Sequence, residues 1–471
     1  MVVHKRFVTL LITALTLIAG SACGSGSSSE DHHENLLPGY SKVALELEKS
    51  LFDFIIDPWY PRILDTLYGG YISDFNRDWG LTKSSQHKAL VQQARHLWST
   101  SFIYEFYSDR KEFLDYATHG FSFLRDQMWD KKYGGFHPFC ARNGVPHPES
   151  IDEKRIYGQA FALYGLSQYH RISHNPEAVN LAKEAFLWME EHAYDQDYGG
   201  YFEYLKRDGT PAQRDSDDKT SLDDFPAKGL KDYNSSIHLM EAFTGLYRIW
   251  PDSLVRTRLE EMFYLIRDRF VHPDGYLQLY FYPDWTLVPD KTMEQLSGGN
   301  QWFTQHFTYG HDVETAYLLL ETAHILGWGE DDKTHRIAKR LVDHSLESGW
   351  DKKAGGFYDA GKEIDGEIRI INNHKSWWSQ VEGLNALLLM HTLYPDDPND
   401  YYGKFLKSWK HIDTYLIDKE FGGWYNHGLD TFPESKTERK SHAWKTTYHN
   451  VRGMVNCVRM LKGESDHSPS E

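Results

Sequence analysis

Cysteine is nearly absent: three stand in 471 residues, too few for a disulfide framework to hold the fold. Cys23 falls in a leader-like segment, which leaves Cys140 and Cys457 able to form one bridge at most. Positive charge is short as well. The 51 Lys and Arg face 68 Asp and Glu, a net charge of −17, and so acidic a chain is a poor partner for nucleic acid. No Gly-Gly pair leads into Lys-Ser/Thr and no Gly-x-Gly-x-x-Gly follows a strand, so phosphate-cradling loops are missing. The zinc pattern His-Glu-x-x-His is missing too, which argues against a catalytic metal. A Ser-His-Asp triad has no elbow to hold its serine.

Past residue 20 no apolar run is long enough to cross a membrane. The one such run, residues 7–20, is itself too short, follows His4-Lys5-Arg6 and ends in small residues before Cys23. Residues 1–22 therefore read as a signal peptide. The ending Gly20-Ser21-Ala22-Cys23 resembles a bacterial lipoprotein cleavage site, with Cys23 lipidated; plain cleavage after Ala22 is the alternative. Residues 23–40, rich in Gly, Ser and acids, read as a flexible tether, and residues 464–471 as a disordered tail. These features predict an exported protein at the cell envelope, touching a membrane only through its lipid. Oligomeric state is unreadable.

What the chain has in plenty is aromatics, 15% of its residues, and a repeat. The signature Asp-x-x-x-Gly-Gly-aromatic occurs at Asp65 to Tyr71, Asp130 to Phe136, Asp195 to Tyr201, Asp351 to Phe357 and Asp418 to Trp424. A degenerate copy stands at Pro273-Asp274-Gly275-Tyr276. Before each signature lies an amphipathic helical pattern; after it lies one apolar nearly all round. The first kind belongs outside and the second inside. Six units predict an all-α (α/α)6 barrel of six inner and six outer helices over residues 41–463, with short β-segments in the loops. An open helical solenoid is the alternative.

An inner helix has little use for polar residues, yet they cluster where four inner helices begin. Aligned by repeat they share a frame: His238-x-x-Glu241, His311-x-x-Glu314, Ser379-x-x-Glu382 and His449-x-x-Arg452. Residues three apart share a helix face, so His238, His311 and His449 are expected in one layer around one cavity. A lone histidine in an apolar helix is usually a core residue; three at equivalent positions, two backed by Glu, point to chemistry. Arg95 adds a buried cation suited to a hydroxyl or an oxyanion, or to pairing with a Glu of the layer. The loops at residues 203–233 and 280–308 are expected to shape the mouth, with Trp302 a candidate stacking residue.

Histidine can take and give a proton near neutral pH. Two facing across a pocket suit removal of a proton beside a carbonyl and its return from the other face. An opened reducing sugar offers such a proton at C2, the intermediate is an enediolate, and no cofactor is needed. An aldose–ketose isomerase shares that intermediate. A two-carboxylate glycoside hydrolase and a carbohydrate-binding lipoprotein are the readings from other classes.

Several segments carry a resemblance: Tyr157-Gly158-Gln159-Ala160-Phe161, Asn234…His238…Glu241-Ala242, Gly310-His311-x-x-Glu314, Trp377-Trp378-x-Gln380-x-Glu382 and Tyr448-His449-Asn450-x-Arg452. Together they resemble the N-acylglucosamine 2-epimerase superfamily, nearest its cellobiose 2-epimerase branch. The resemblance implies an (α/α)6 barrel and interconversion of glucose and mannose at the reducing end of a β-linked disaccharide. It implies His311 and His449 as the general acid/base pair and His238 as a third pocket histidine. It further implies contacts to a small carbohydrate from Arg95, Tyr157, Asn234, Glu241, Glu314, Glu382 and Arg452, with Trp377 and Trp378 stacking on the sugar or walling the pocket.

Overall fold

The computed structural model describes residues 38–212, 228–296 and 304–464. The leader, Cys23, the tether up to residue 37, Trp302 and the tail from residue 465 lie outside the described residues. Twelve helices make the barrel. They are α1 (Pro38–Leu51), α2 (Leu90–Phe106), α3 (Glu112–Phe123), α4 (Ile156–Ser173), α5 (Pro176–His192) and α6 (Tyr233–Ile249). The second half comprises α7 (Ser253–Leu265), α8 (Tyr309–Ile325), α9 (Asp332–Ser348), α10 (Trp377–Leu393), α11 (Tyr401–His411) and α12 (Tyr448–Leu461).

Even-numbered helices form the inner ring and odd-numbered ones the outer. The division follows from composition. Helix α9 buries Ala338, Leu341, Val342 and Ser345 on one stripe and turns its charges to solvent, whereas α10 is buried nearly all round. Each inner helix packs on its neighbours, and α12 packs on α2. The ring is closed, not an open solenoid. Across the seam, Gly423 N–H donates to Phe54 O at 2.7 Å, and Arg77 grips Asp418 through two nitrogens at 2.8 and 3.0 Å.

The two rings start differently. Outer helices α5, α7, α9 and α11 begin on Asn175, Asp252, Asp331 and Asp400, whose side chains accept from backbone N–H groups of the first turn. Four inner helices spring directly from short strands, and of these α6 is also capped by the Asp232 side chain. Lys88–Ala89 pairs antiparallel with Phe139–Cys140, Glu153–Arg155 with Tyr204–Lys206, and Lys231–Asp232 with Tyr280–Phe281. Phe307–Thr308 pairs with Ala360–Ile364, which pairs in turn with Glu367–Asn372. These ladders fix where the first turn of each inner helix sits.

The glycine signature closes a turn whose anchor is its aspartate. Asp195 Oδ1 accepts from the N–H groups of Asp197 and Tyr198 at 3.0 and 3.2 Å. Its other oxygen takes a buried lysine, Lys231, at 2.6 Å; that ammonium also donates to Gly199 O at 2.6 Å and Pro283 O at 2.8 Å, so all three protons are used. The pair recurs as Asp65 with Lys88, Asp130 with Lys154, Asp351 with Lys375 and Asp418 with Lys440. A buried ammonium is tolerable only when paired and fully hydrogen-bonded. The second glycines need positive φ and have no room for more: a Cβ on Gly135 (φ 65°) meets Trp188 at 3.0 Å.

Cys140 and Cys457 are both buried free thiols, so the one conceivable bridge is not formed. Helix α1 enters at the barrel end away from the inner-helix N-termini. Its first turn is pinned by Tyr40 Oη to His391 Nε2, at the C-terminal end of α10, at 2.6 Å.

Candidate active site

The first turns of α6, α8, α10 and α12 converge at one end of the barrel and bring the predicted frame together. His238 and His449 are 2% and 6% exposed; His311 is the least buried of the three. Trp378 packs against both members of the expected acid/base pair, its ring 4.6 Å from His311 and 5.5 Å from His449. Tyr157 and Phe161, from α4, edge onto His238 at 5.4 and 4.7 Å.

Each imidazole is held through Nδ1, leaving Nε2 for chemistry. His449 Nδ1 lies 2.8 Å from Glu382 Oε1, and His238 Nδ1 lies 2.9 Å from Glu241 Oε2. An ionised carboxylate can only accept, so both rings carry the proton on Nδ1. His311 departs from the expectation that its own Glu314 would orient it. Its Nδ1 meets Thr308 Oγ1 at 2.5 Å and Tyr233 Oη at 2.8 Å. Hydroxyls both donate and accept, so His311 can hold either tautomer. Glu314 turns to α12 instead, bonding Arg452 and standing 3.8 Å from His449.

Arg452 is the hub beneath the histidines. It is 1% exposed and donates to Glu241, Glu314 and Glu382, the last at 2.7 Å, and to Tyr448 Oη at 2.5 Å. Burial alone pushes the Glu241 carboxyl up, but Arg452, His238 and Tyr448 bring it down to about 2. Three carboxylates around one guanidinium leave the floor of the pocket negative. Burial nonetheless holds His311 well below its ordinary value, with His238, His449, His306 and Arg95 adding to the shift. His449 is likewise lowered by burial, against the pull of Glu314. Both are neutral bases at pH 7.

Arg95 is not the partner of a Glu in the layer. Its guanidinium donates to Tyr157 Oη at 2.8 Å and Trp444 O at 3.1 Å, and lies 4.2 Å above the Phe161 ring. Several site atoms are buried without a protein partner: Arg95 Nε, Asn234 Oδ1, Glu314 Oε2 and Glu382 Oε2. A ligand satisfying them needs several hydroxyl groups. Trp377 stands apart from Trp378; it is 8% exposed and faces Lys445 and His442 of the rim. Trp302 lies outside the described residues.

Sequence reasoning missed Tyr233 and Thr308, because His311 is held from the strand preceding its helix and the frame compared only helix positions. It also missed Trp444, 41% exposed, with its ring 6.3 Å from Tyr157 on a loop without periodicity. Among the described residues, two groups have donor atoms close enough for a metal ion, His238/His311/Glu314 and Glu314/Glu382/His449. Glu314 and Glu382 are already bonded to Arg452, and a dication beside a buried guanidinium is opposed by their repulsion.

The N-acylglucosamine 2-epimerase family matches residues 70–453. A cellobiose 2-epimerase of Bacteroides fragilis is 27% identical over 88% of this chain and 98% of its own, and one of Ruminococcus albus is 28% identical over 88% and 97%. The solved structure of cellobiose 2-epimerase from Spirochaeta thermophila superposes with a TM-score of 0.76 at 26% identity, covering 91% of this chain and 99% of that one. With its closed double ring and its match across nearly the whole barrel, this chain belongs to the N-acylglucosamine 2-epimerase family and is an isomerase acting on carbohydrate.

Proposed function

We propose that the protein interconverts glucose and mannose at the reducing end of a β-linked disaccharide of the cellobiose or mannobiose type. The observation that carries this reading is the pair His311 and His449, both in contact with Trp378 and each anchored through Nδ1. The sugar opens to its aldehyde. One imidazole takes the C2 proton, giving an enediolate whose charge is met by the Arg95 guanidinium. The other imidazole, having taken a proton from water on Nε2, gives it to the opposite face, and the first then releases its proton to solvent. Only protons move, so the reaction as proposed needs no cofactor.

A disaccharide is favoured over a single ring by the aromatics that continue outward from the histidines, Tyr157 and then Trp444. An outer sugar has an apolar face to lay on such a ring. The names of the relatives point the same way. Export, with Cys23 lipidated as the only membrane contact, belongs to the same proposal and rests on the leader sequence.

Incubation with cellobiose and with mannobiose in D2O, followed by NMR, tests the reaction. The expected result is deuterium at C2 and a mixture of glucose- and mannose-ended disaccharides. A ketose product would mean an aldose–ketose isomerase. Free monosaccharides would mean a hydrolase.

A further inference from the structure

A buried acid pair beside the histidine layer bears on how that layer is held. Glu203, next to the strand Tyr204–Lys206, and Asp232, which caps α6, are 7% and 6% exposed. They meet at one hydroxyl. Ser235 Oγ lies 3.0 Å from Glu203 Oε2 and 3.2 and 3.0 Å from the two oxygens of Asp232. Glu203 Oε2 also accepts from the Tyr157 N–H at 2.8 Å, and Asp232 Oδ1 from the Ser235 N–H at 2.9 Å.

A serine hydroxyl has a single hydrogen to give. With both carboxyls ionised, one of these contacts sets lone pair against lone pair. A proton on one carboxyl turns that contact into a hydrogen bond. The charged neighbours do not remove the need for it: Arg155 is itself paired with Glu153 at 3.2 Å, and His238 acts on Asp232 from within α6. The other ionisable groups facing the pair are Tyr157, Tyr204, Tyr233 and Tyr280. Burial, then the charge of Asp232, raises the Glu203 carboxyl to about 8, against the Tyr157 N–H, Arg155 and Ser235.

We propose that Glu203 and Asp232 share one proton, and that this proton positions the active site by tying the first turn of α4 to the first turn of α6. The α4 turn carries Tyr157, which holds Arg95; the α6 turn carries Asn234 and His238. Losing the proton puts like charges on either side of Ser235 and pushes the turns apart. Activity then falls on the alkaline side for a reason unconnected with the catalytic imidazoles. The activity readout rests on the epimerase reading above; the pair itself does not.

Glu203→Gln mimics the protonated acid and cannot ionise. It is expected to keep turnover near pH 7 within about threefold of wild type and to move the alkaline limb of kcat up by about one pH unit or more. Glu203→Leu, which loses the acceptor for the Tyr157 N–H, lowers kcat at every pH. Thermal unfolding supplies a readout independent of catalysis. The folded pair keeps a proton that the unfolded chain releases near the ordinary carboxylate pKa, so wild-type Tm falls relative to Glu203→Gln between about pH 5 and pH 8 and runs parallel above. An unchanged alkaline limb in Glu203→Gln, or Tm curves parallel throughout, overturns the proposal. If that Tm difference appears while no sugar is epimerised at any pH, the pair stands and the epimerase reading falls.

Discussion

His449 and Arg452, one helical turn apart on α12, share a single oxygen of Glu382, at 2.8 and 2.7 Å. The carboxylate thus fixes the tautomer of the imidazole and balances the guanidinium at once. Glu382→Gln keeps the shape but removes the charge that steadies the imidazolium formed in the reaction. It is expected to lower kcat about 10- to 100-fold with little change in KM, measured by steady-state kinetics on a variant with unchanged circular dichroism.

His311→Asn and His449→Asn each remove one imidazole and leave the pocket its size. Either is expected to cost about 10²- to 10⁴-fold in kcat. A variant folded as wild type and retaining near-normal turnover would remove that histidine from the acid/base pair.

The pH profile of kcat/KM follows from burial. His311 and His449 titrate below the ordinary histidine value, so the acid limb falls on the acid side of about pH 6.5. A limb centred at or above that value contradicts the buried-base reading. Stability has the same sign. These histidines, and His96 brought to about 3 by burial, resist protonation in the folded state. The unfolded chain takes up the protons instead, so stability is full above about pH 6.5 and is lost as pH falls below it.

Lys231→Met leaves Asp195 buried without its cation. The cost is about 3–5 kcal/mol, read as a lower urea midpoint. The double variant with Asp195→Asn should recover part of that loss.

Chelation with EDTA is expected to leave activity unchanged. Loss of activity restored by zinc would show that a site such as Glu314/Glu382/His449 holds an ion despite Arg452.

The barrel was legible because its repeat lies on the surface of the sequence: an aspartate, two glycines needing positive φ and an aromatic, five times over, with a sixth, degenerate copy. The lysine closing each turn was not legible. Lys88, Lys154, Lys231, Lys375 and Lys440 carry no mark in the sequence, since nothing local distinguishes a lysine whose partner lies 22 to 36 residues away. The histidine layer was found because equivalent positions in a repeat share a height in the barrel. Its wiring was not, because side chains crossed between helices: Glu382 of α10 serves His449 of α12, while Glu314 leaves His311 to a tyrosine and a threonine. Spacing along one helix predicts a shared face, not which neighbour fills it.

Tyr40 fastens the start of α1 beside His391, at the opposite end of the barrel from the imidazoles. A support joined to the chain directly before Pro38, whether a lipid leaflet, a chromatography bead or a fused partner, therefore lies nearest the end of the barrel opposite the imidazoles. The sugar entrance points away from that support. Immobilised enzyme should show the same KM as free enzyme, with no diffusion gap beneath it for substrate to cross.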